Sequence, residues 1–171
     1  MAESFRLERM SPFILALTLA LLALPLALLV GTLFGNRALG VPALLLIAVY
    51  AWVWLRFRPS RFVVDRSGLQ VIWPLKRREI SRADISDVRL IDRQALRQEI
   101  SWGMRVGAGG LWGGFGWLWT KRRGIVQMYV SRTDHFVWIE TGGGRPWLIT
   151  PERPEALVRA LEAAGRSPDG R

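Results

Sequence analysis

Few side chains in this 171-residue sequence are equipped for reaction chemistry. His135, the one histidine, could act as a general base only if a nucleophile and an orienting carboxylate converged on it. Its setting, Arg132-Thr133-Asp134-His135, reads instead as a solvated turn. Asp84 with Asp87, or Glu152 with Glu155, could be paired for acid/base work. The first pair belongs to a turn leading into a strand, and the second suits a helix N-terminus, where the dipole favours carboxylates. With no cysteine there is no thiolate nucleophile, thiolate metal site or disulfide framework. No catalytic residues, metal or cofactor are expected, and the chain reads as a non-enzyme.

Two segments have the chemistry of binding. Ser101–Gly124 sets Trp102, Trp112, Phe115, Trp117 and Trp119 among eight glycines, with Lys121-Arg122-Arg123 just before the last of them. Dense glycine permits positive φ and close backbone approach, and tryptophan favours the layer between water and acyl chains. The segment therefore reads as a loop that dips into lipid headgroups or meets a partner, with Trp112, Phe115, Trp117, Trp119, Lys121, Arg122 and Arg123 as its contacts. The competing reading packs the tryptophans into the domain core. A nucleotide loop is excluded, because neither G-x-x-x-x-G-K-[ST] nor G-x-G-x-x-G is present in this segment. The second segment, Lys76-Arg77-Arg78, is either a solvated strand end or a set of headgroup contacts.

The elements that must position these residues begin with two charge-free apolar runs, Phe13–Phe34 and Ala38–Leu55, separated by Gly35-Asn36-Arg37. A bilayer core of about 30 Å takes roughly 20 apolar residues in a helix, so residues 13–55 read as a transmembrane hairpin. The first run is too long for a secretory signal, and no A-x-A-like cleavage site follows it. Arg6 and Arg9 precede the first run, only Arg37 lies between the two, and Arg56, Arg58, Arg61 and Arg66 follow the second. The positive-inside rule then puts both termini in the cytoplasm. Tyr50, Trp52 and Trp54, with Arg56 and Arg58, read as membrane anchors. Pro25 predicts a kink whose freed carbonyl a partner helix satisfies. Gly31 and Gly35 form a G-x-x-x-G that either brings helices together or ends the helix. Neither run holds an ionisable residue of the kind that marks ion and proton pathways, so transport is not expected.

Residues 1–12 read as a cytoplasmic N-terminal segment, 56–165 as one compact domain, and 166–171 as a frayed tail. Residues 56–171 carry 21 of the 24 Lys+Arg and 12 of the 14 Asp+Glu, so nearly all of the +10 charge belongs there. Near an anionic leaflet each basic residue is worth about 1 kcal/mol of attraction. Nucleic-acid binding is the competing reading of basic and aromatic residues together, disfavoured for a membrane-tethered domain. Phe62–Val64 and Leu69–Trp73 flank the turn Asp65-Arg66-Ser67-Gly68 as a hairpin. Glu79–Asp84 reads as a turn before a strand at Ile85–Ile91. Three short strands, Ile125–Val130, Phe136–Thr141 and Trp147–Thr150, read as a meander. A helix capped by Thr150, with Pro151 at its first position and Leu157, Val158 and Leu161 as its apolar face, closes the domain at Gly165. The fold class is thus a two-helix hairpin plus a mainly-β (α+β) barrel or sandwich with one C-terminal amphipathic helix.

The paired apolar runs, Arg61-Phe62-Val63-Val64-Asp65 with Gly68-Leu69, Glu79-Ile80-x-x-Ala83-Asp84-Ile85-x-x-Val88, the run Gly110–Gly116, and Leu148–Glu155 together resemble membrane-anchored bacterial pleckstrin-homology (PH)-like proteins over Pro59–Ala164. The resemblance implies a PH-like fold in a non-catalytic scaffold of the bacterial inner membrane. Its partner would be anionic headgroups, another protein or a second copy of itself. The alternative is an accessory or regulatory subunit recognised through its spans. The matching motifs look like fold-defining turns, so no functional residue carries over.

Overall fold

The computed structural model describes residues 2–165, and the expected tail at 166–171 lies outside them. Both apolar runs are helical, α1 (Pro12–Leu33) and α2 (Gly40–Phe57), and each is long and apolar enough to cross a membrane. Pro25 leaves the Leu21 carbonyl without its helical donor, and the Tyr50 hydroxyl of α2 donates to that oxygen at 3.1 Å. Gly31 lets Leu39 fold back against α1, since a Cβ there would lie 2.6 Å from the Leu39 side chain. Gly35, with φ +101°, ends the helix. The two glycines therefore shape the turn within one hairpin.

Two sheets follow. The first is antiparallel, in the order β1 (Glu3–Arg6), β2 (Arg61–Val64), β3 (Gly68–Ile72), β4 (Arg77–Ser81). The second holds β5 (Ile85–Ile91), β6 (Gly103–Gly109), β7 (Gly114–Thr120), β8 (Gly124–Val130), β9 (Phe136–Thr141) and β10 (Trp147–Ile149), in the order β5-β9-β10-β8-β7-β6. The sheets face each other as a sandwich and do not close into a barrel. Phe5, Phe62, Leu69, Val71, Phe115, Val137 and Ile149 fill the space between them, with Leu157 and Leu161 of α4 (Pro154–Gly165). The opposite face of the larger sheet, including Leu118, Val126, Met128 and Trp138, is covered by α3 (Arg93–Ile100) through Leu96.

Several expectations change. β1 arises from the segment expected to lie outside the domain: Phe5 pairs with Phe62 and Arg6 with Arg61, so the whole helical hairpin is inserted in the connection between two neighbouring strands. Glu79–Asp84 is not simply a turn, because β4 runs to Ser81 before a single 3-10 turn at Arg82–Asp84. The expected meander is broken, since β10 enters between β8 and β9, parallel to β8. Trp147-Leu148-Ile149 is buried on both faces, and a strand apolar at every position belongs in a sheet's centre. α4 starts at Pro154 and not at Pro151, because the backbone before it is taken. The Thr150 carbonyl accepts from Glu8 N (3.0 Å), and Glu152 N donates to the Arg6 carbonyl (2.9 Å). α3 is an addition, capped by Asp92, whose carboxylate accepts from Ala95 N at 2.7 Å.

Candidate functional site

Three cations meet where α2 enters the domain. Arg56 comes from the last turn of α2, Lys76 from the tight turn after β3, and Arg78 from β4. The turn is tied to the helix by Trp73, whose indole N–H donates to the Phe57 carbonyl at 3.0 Å. The Lys76 ammonium stands 4.5 Å over the Trp73 ring, and the Arg78 guanidinium 5.1 Å over that of Trp147. Tyr129 lies between the indoles, at 5.2 Å from Trp73 and 5.5 Å from Trp147. Arg78 also donates to Gln127 Oε1 at 2.8 Å.

Burial holds the Lys76 ammonium below its ordinary value, and repulsion from Arg56 and Arg78 pushes it further the same way. No ion pair to a carboxylate neutralises any of the three among the described residues. An anion with several oxygens would relieve that repulsion and accept hydrogen bonds from all three. Arg77 is exposed on the other side of the strand, because successive side chains alternate while Arg78 shares the face of buried Ile80. The structure thus joins Lys76 and Arg78 to Arg56, expected as an anchor, and leaves Arg77 out.

A second junction lies on the helices. The turn between β6 and β7 packs on both: Trp112 meets Trp54 edge-on at 4.8 Å, and Arg58 lies 4.1 Å over the Trp54 ring. Burial pulls the Arg58 guanidinium below its ordinary value. The buried Thr18 hydroxyl accepts from Trp112 N (2.9 Å), and it lies within bonding distance of the Gly110 carbonyl (3.1 Å) and the Ile14 carbonyl (2.7 Å). These contacts hold Trp112 at φ 60°, a conformation rare for a bulky residue. Trp52 is exposed on α2, whereas Tyr50 is engaged with Leu21 inside the hairpin.

The expected tryptophan loop is a regular β-hairpin. Its glycines make this feasible: Gly107 faces Gly116 with φ +141° and +130°. A Cβ on Gly116 would lie 2.6 Å from the Val106 carbonyl, and one on Gly107 would collide with that of Phe115. Phe115 is a correction, being fully buried in the sandwich core and unavailable to a partner. Trp117 and Trp119 are 47% and 58% exposed, and the register sets them beside exposed Val106 and Met104 on the edge strand.

Lys121, Arg122 and Arg123 form the turn at the hairpin's other end, away from the helices. Lys121 is exposed, but Arg122 donates to the Gln98 carbonyl (2.9 Å) and Arg123 binds Glu99 (2.6 Å) and Glu140 (3.4 Å). The Arg123 hydrogen bond holds the Glu99 carboxyl below its ordinary value, aided by Arg89. A carboxyl lowered on folding stabilises above its unfolded value and loses that contribution as pH falls through the folded one. The Glu99→Gln variant should be less stable than the parent at pH 7, by no more than about 1 kcal/mol, and the gap should close as pH falls through the lowered value of the folded carboxyl in thermal scans. A gap that persists in acid would remove the ion pair as its cause.

The candidate reaction groups are dispersed. His135 is exposed in the turn before β9, 3.6 Å from Asp134, which is itself bound by Arg132 at 2.8 Å. Asp87 pairs with Arg89, Glu152 accepts from Arg6 N, and Glu155 lies in the first turn of α4.

Residues 60–165 match the family described as bacterial PH domain. No curated protein and no solved structure matches the chain. The match begins after α2, so β1 and the helical hairpin stand outside the shared region. From β2 through α4 the strand-rich sandwich and its closing helix coincide with that region, and the chain belongs to the bacterial PH domain family.

Proposed function

We propose that the protein is a non-catalytic binding module of the bacterial inner membrane, anchored by α1 and α2 as two spans with its PH domain in the cytoplasm. Its ligand is the headgroup of anionic lipid, held by Arg56, Lys76 and Arg78. The observation that carries this reading is the unneutralised cation cluster at the end of α2, stacked on Trp73 and Trp147. Arg56 belongs to the last turn of an apolar helix, so the cluster would sit at headgroup level. Pairing of β1 with β2 requires both ends of the helical hairpin on one side of the bilayer, as two spans do. The turn docked at Thr18 would reach about 9 Å along α1 from its start, below the headgroups. Backbone at that depth needs internal partners, which Thr18 and the bond from Gly110 N to the Gly113 carbonyl (3.0 Å) supply.

Lipid retention tests the ligand. Full-length protein released from nanodiscs of equal phosphatidylglycerol and phosphatidylcholine should retain the anionic lipid preferentially by native mass spectrometry. Equal retention would contradict headgroup recognition. The absence of cysteine makes the topology equally testable. A membrane-impermeant maleimide should label Asn36→Cys in intact spheroplasts and Lys121→Cys only after lysis. The reverse pattern would invert the proposed topology.

A second reading has its own observation. The exposed Met104 and Val106 on the edge strand β6, with Trp117 and Trp119 beside them on β7, form a surface suited to a protein partner. Partner loss in a Trp117→Ser/Trp119→Ser variant with lipid selectivity intact would separate the two.

A further inference from the structure

Behind the larger sheet, on the side away from the sandwich core, lies a cavity of about 390 Å³. Its size falls in the range of about 300–1,000 Å³ typical of small-ligand sites. Leu96 and Ile100 of α3 and Leu118 and Met128 of the sheet line its interior, while Ile14 and Leu17 of α1 form the wall toward the helices. Among the described residues no carboxylate lines it, and four arginines do: Arg93, Arg97, Arg105 and Arg132. Arg132 is neutralised by Asp134 and Glu8, and Arg93 donates to the Thr133 carbonyl at 3.2 Å. Arg97 and Arg105 have no ion pair among the described residues. Room for the Arg105 guanidinium is built into the hairpin, for it lies across the facing pair Gly109 and Gly114, where a Cβ on Gly114 would come within 3.2 Å of its Cζ.

We propose that this cavity binds a long-chain carboxylate of the fatty-acid class, its chain against Leu96, Leu118 and Met128 and its head between Arg97 and Arg105. The apolar interior disfavours a small polar anion, and the two guanidinia at its border, exposed and without a carboxylate partner among the described residues, favour a ligand with an anionic head over a neutral one. The arginines border the cavity itself, so charge and chain must be directly joined, which favours a carboxylate over a diacyl lipid whose glycerol separates them. Access follows the exposed face of α1 at Phe13 and Leu17, and this route rests on the reading that α1 enters a bilayer.

The test uses the full-length protein in phosphatidylcholine nanodiscs and hexadecanoate bearing a photoreactive diazirine near its methyl end. Peptide mapping should find adducts on 93–100 and 114–130 in addition to lipid-facing α1 and α2. The methyl ester of the same probe should label the two cavity segments roughly tenfold less, the ratio that accompanies loss of a charge-assisted hydrogen bond. The exposed double substitution Arg97→Glu/Arg105→Glu should reduce cavity labelling similarly while leaving labelling of the helices unchanged. Adducts confined to α1 and α2, equal labelling by the ester, or undiminished cavity labelling in the double variant would each overturn the proposal. Absence of adducts even on α1 and α2 would overturn the bilayer reading and this site with it.

Discussion

Phe5→Ala is expected to destabilise the folded domain by about 3–5 kcal/mol, the cost of deleting a buried phenylalanine ring. The ring is fully buried between the sheets, pairs in register with Phe62, and has the Arg153 guanidinium 5.3 Å away over its face. A domain of this size has a net stability of about 5–15 kcal/mol, so one substitution at an outer strand should remove a large share of it. Urea unfolding of the full-length protein in mild detergent, followed by tryptophan fluorescence, measures the loss. A change within about 0.5 kcal/mol, the range of surface substitutions, would show that β1 is dispensable. A domain cut after α2 likewise lacks β1 and leaves Phe62 and Val64 without their neighbours.

Thr18→Val should release the β6–β7 turn from the helices while barely changing side-chain volume. Valine can neither accept from Trp112 N nor reach the Gly110 carbonyl with a proton, and a buried polar group left without a partner costs about 1–3 kcal/mol. Trp112 also carries the strain of φ 60°, a cost of about 1–3 kcal/mol that persists only where surrounding contacts enforce it. Losing the hydrogen bond should let the turn relax, raise amide exchange at Trp112 by an order of magnitude or more, and expose Trp54. Thr18→Ser should restore protection, because it returns the hydroxyl. Unchanged exchange in the valine variant would mean that Trp54 packing alone seats the turn.

These two sites differ in how far the sequence announces them. The two helices are legible because each apolar run is long and free of charge, and Pro25 even implies a donor on the facing helix, which Tyr50 provides. β2, β3, β5, β8 and β9 are legible from alternation and turn residues. β1 is not, since Glu-Ser-Phe-Arg offers one apolar residue and its partner lies beyond two whole helices. The β6–β7 segment misleads because glycine normally breaks strands, and only the register reveals that Gly107 and Gly116 face each other. The cation cluster is half legible. Lys76 and Arg78 stand out as a basic run and Arg56 as a flanking charge, but their meeting depends on Trp73 binding the end of α2. The cavity behind the sheet leaves no local signature, because α3, the hairpin and the foot of α1 assemble it from distant segments.

Selection of anionic headgroups by Arg56, Lys76 and Arg78 is tested most sharply by removing all three charges. Full-length protein and its Arg56→Gln/Lys76→Gln/Arg78→Gln variant would be released from nanodiscs of equal phosphatidylglycerol and phosphatidylcholine, and their retained lipids counted by native mass spectrometry. The parent should show an enrichment of the anionic lipid that falls roughly tenfold in the variant, as expected for loss of charge-assisted contacts, with the melting temperature little changed. The same enrichment in both proteins would contradict it.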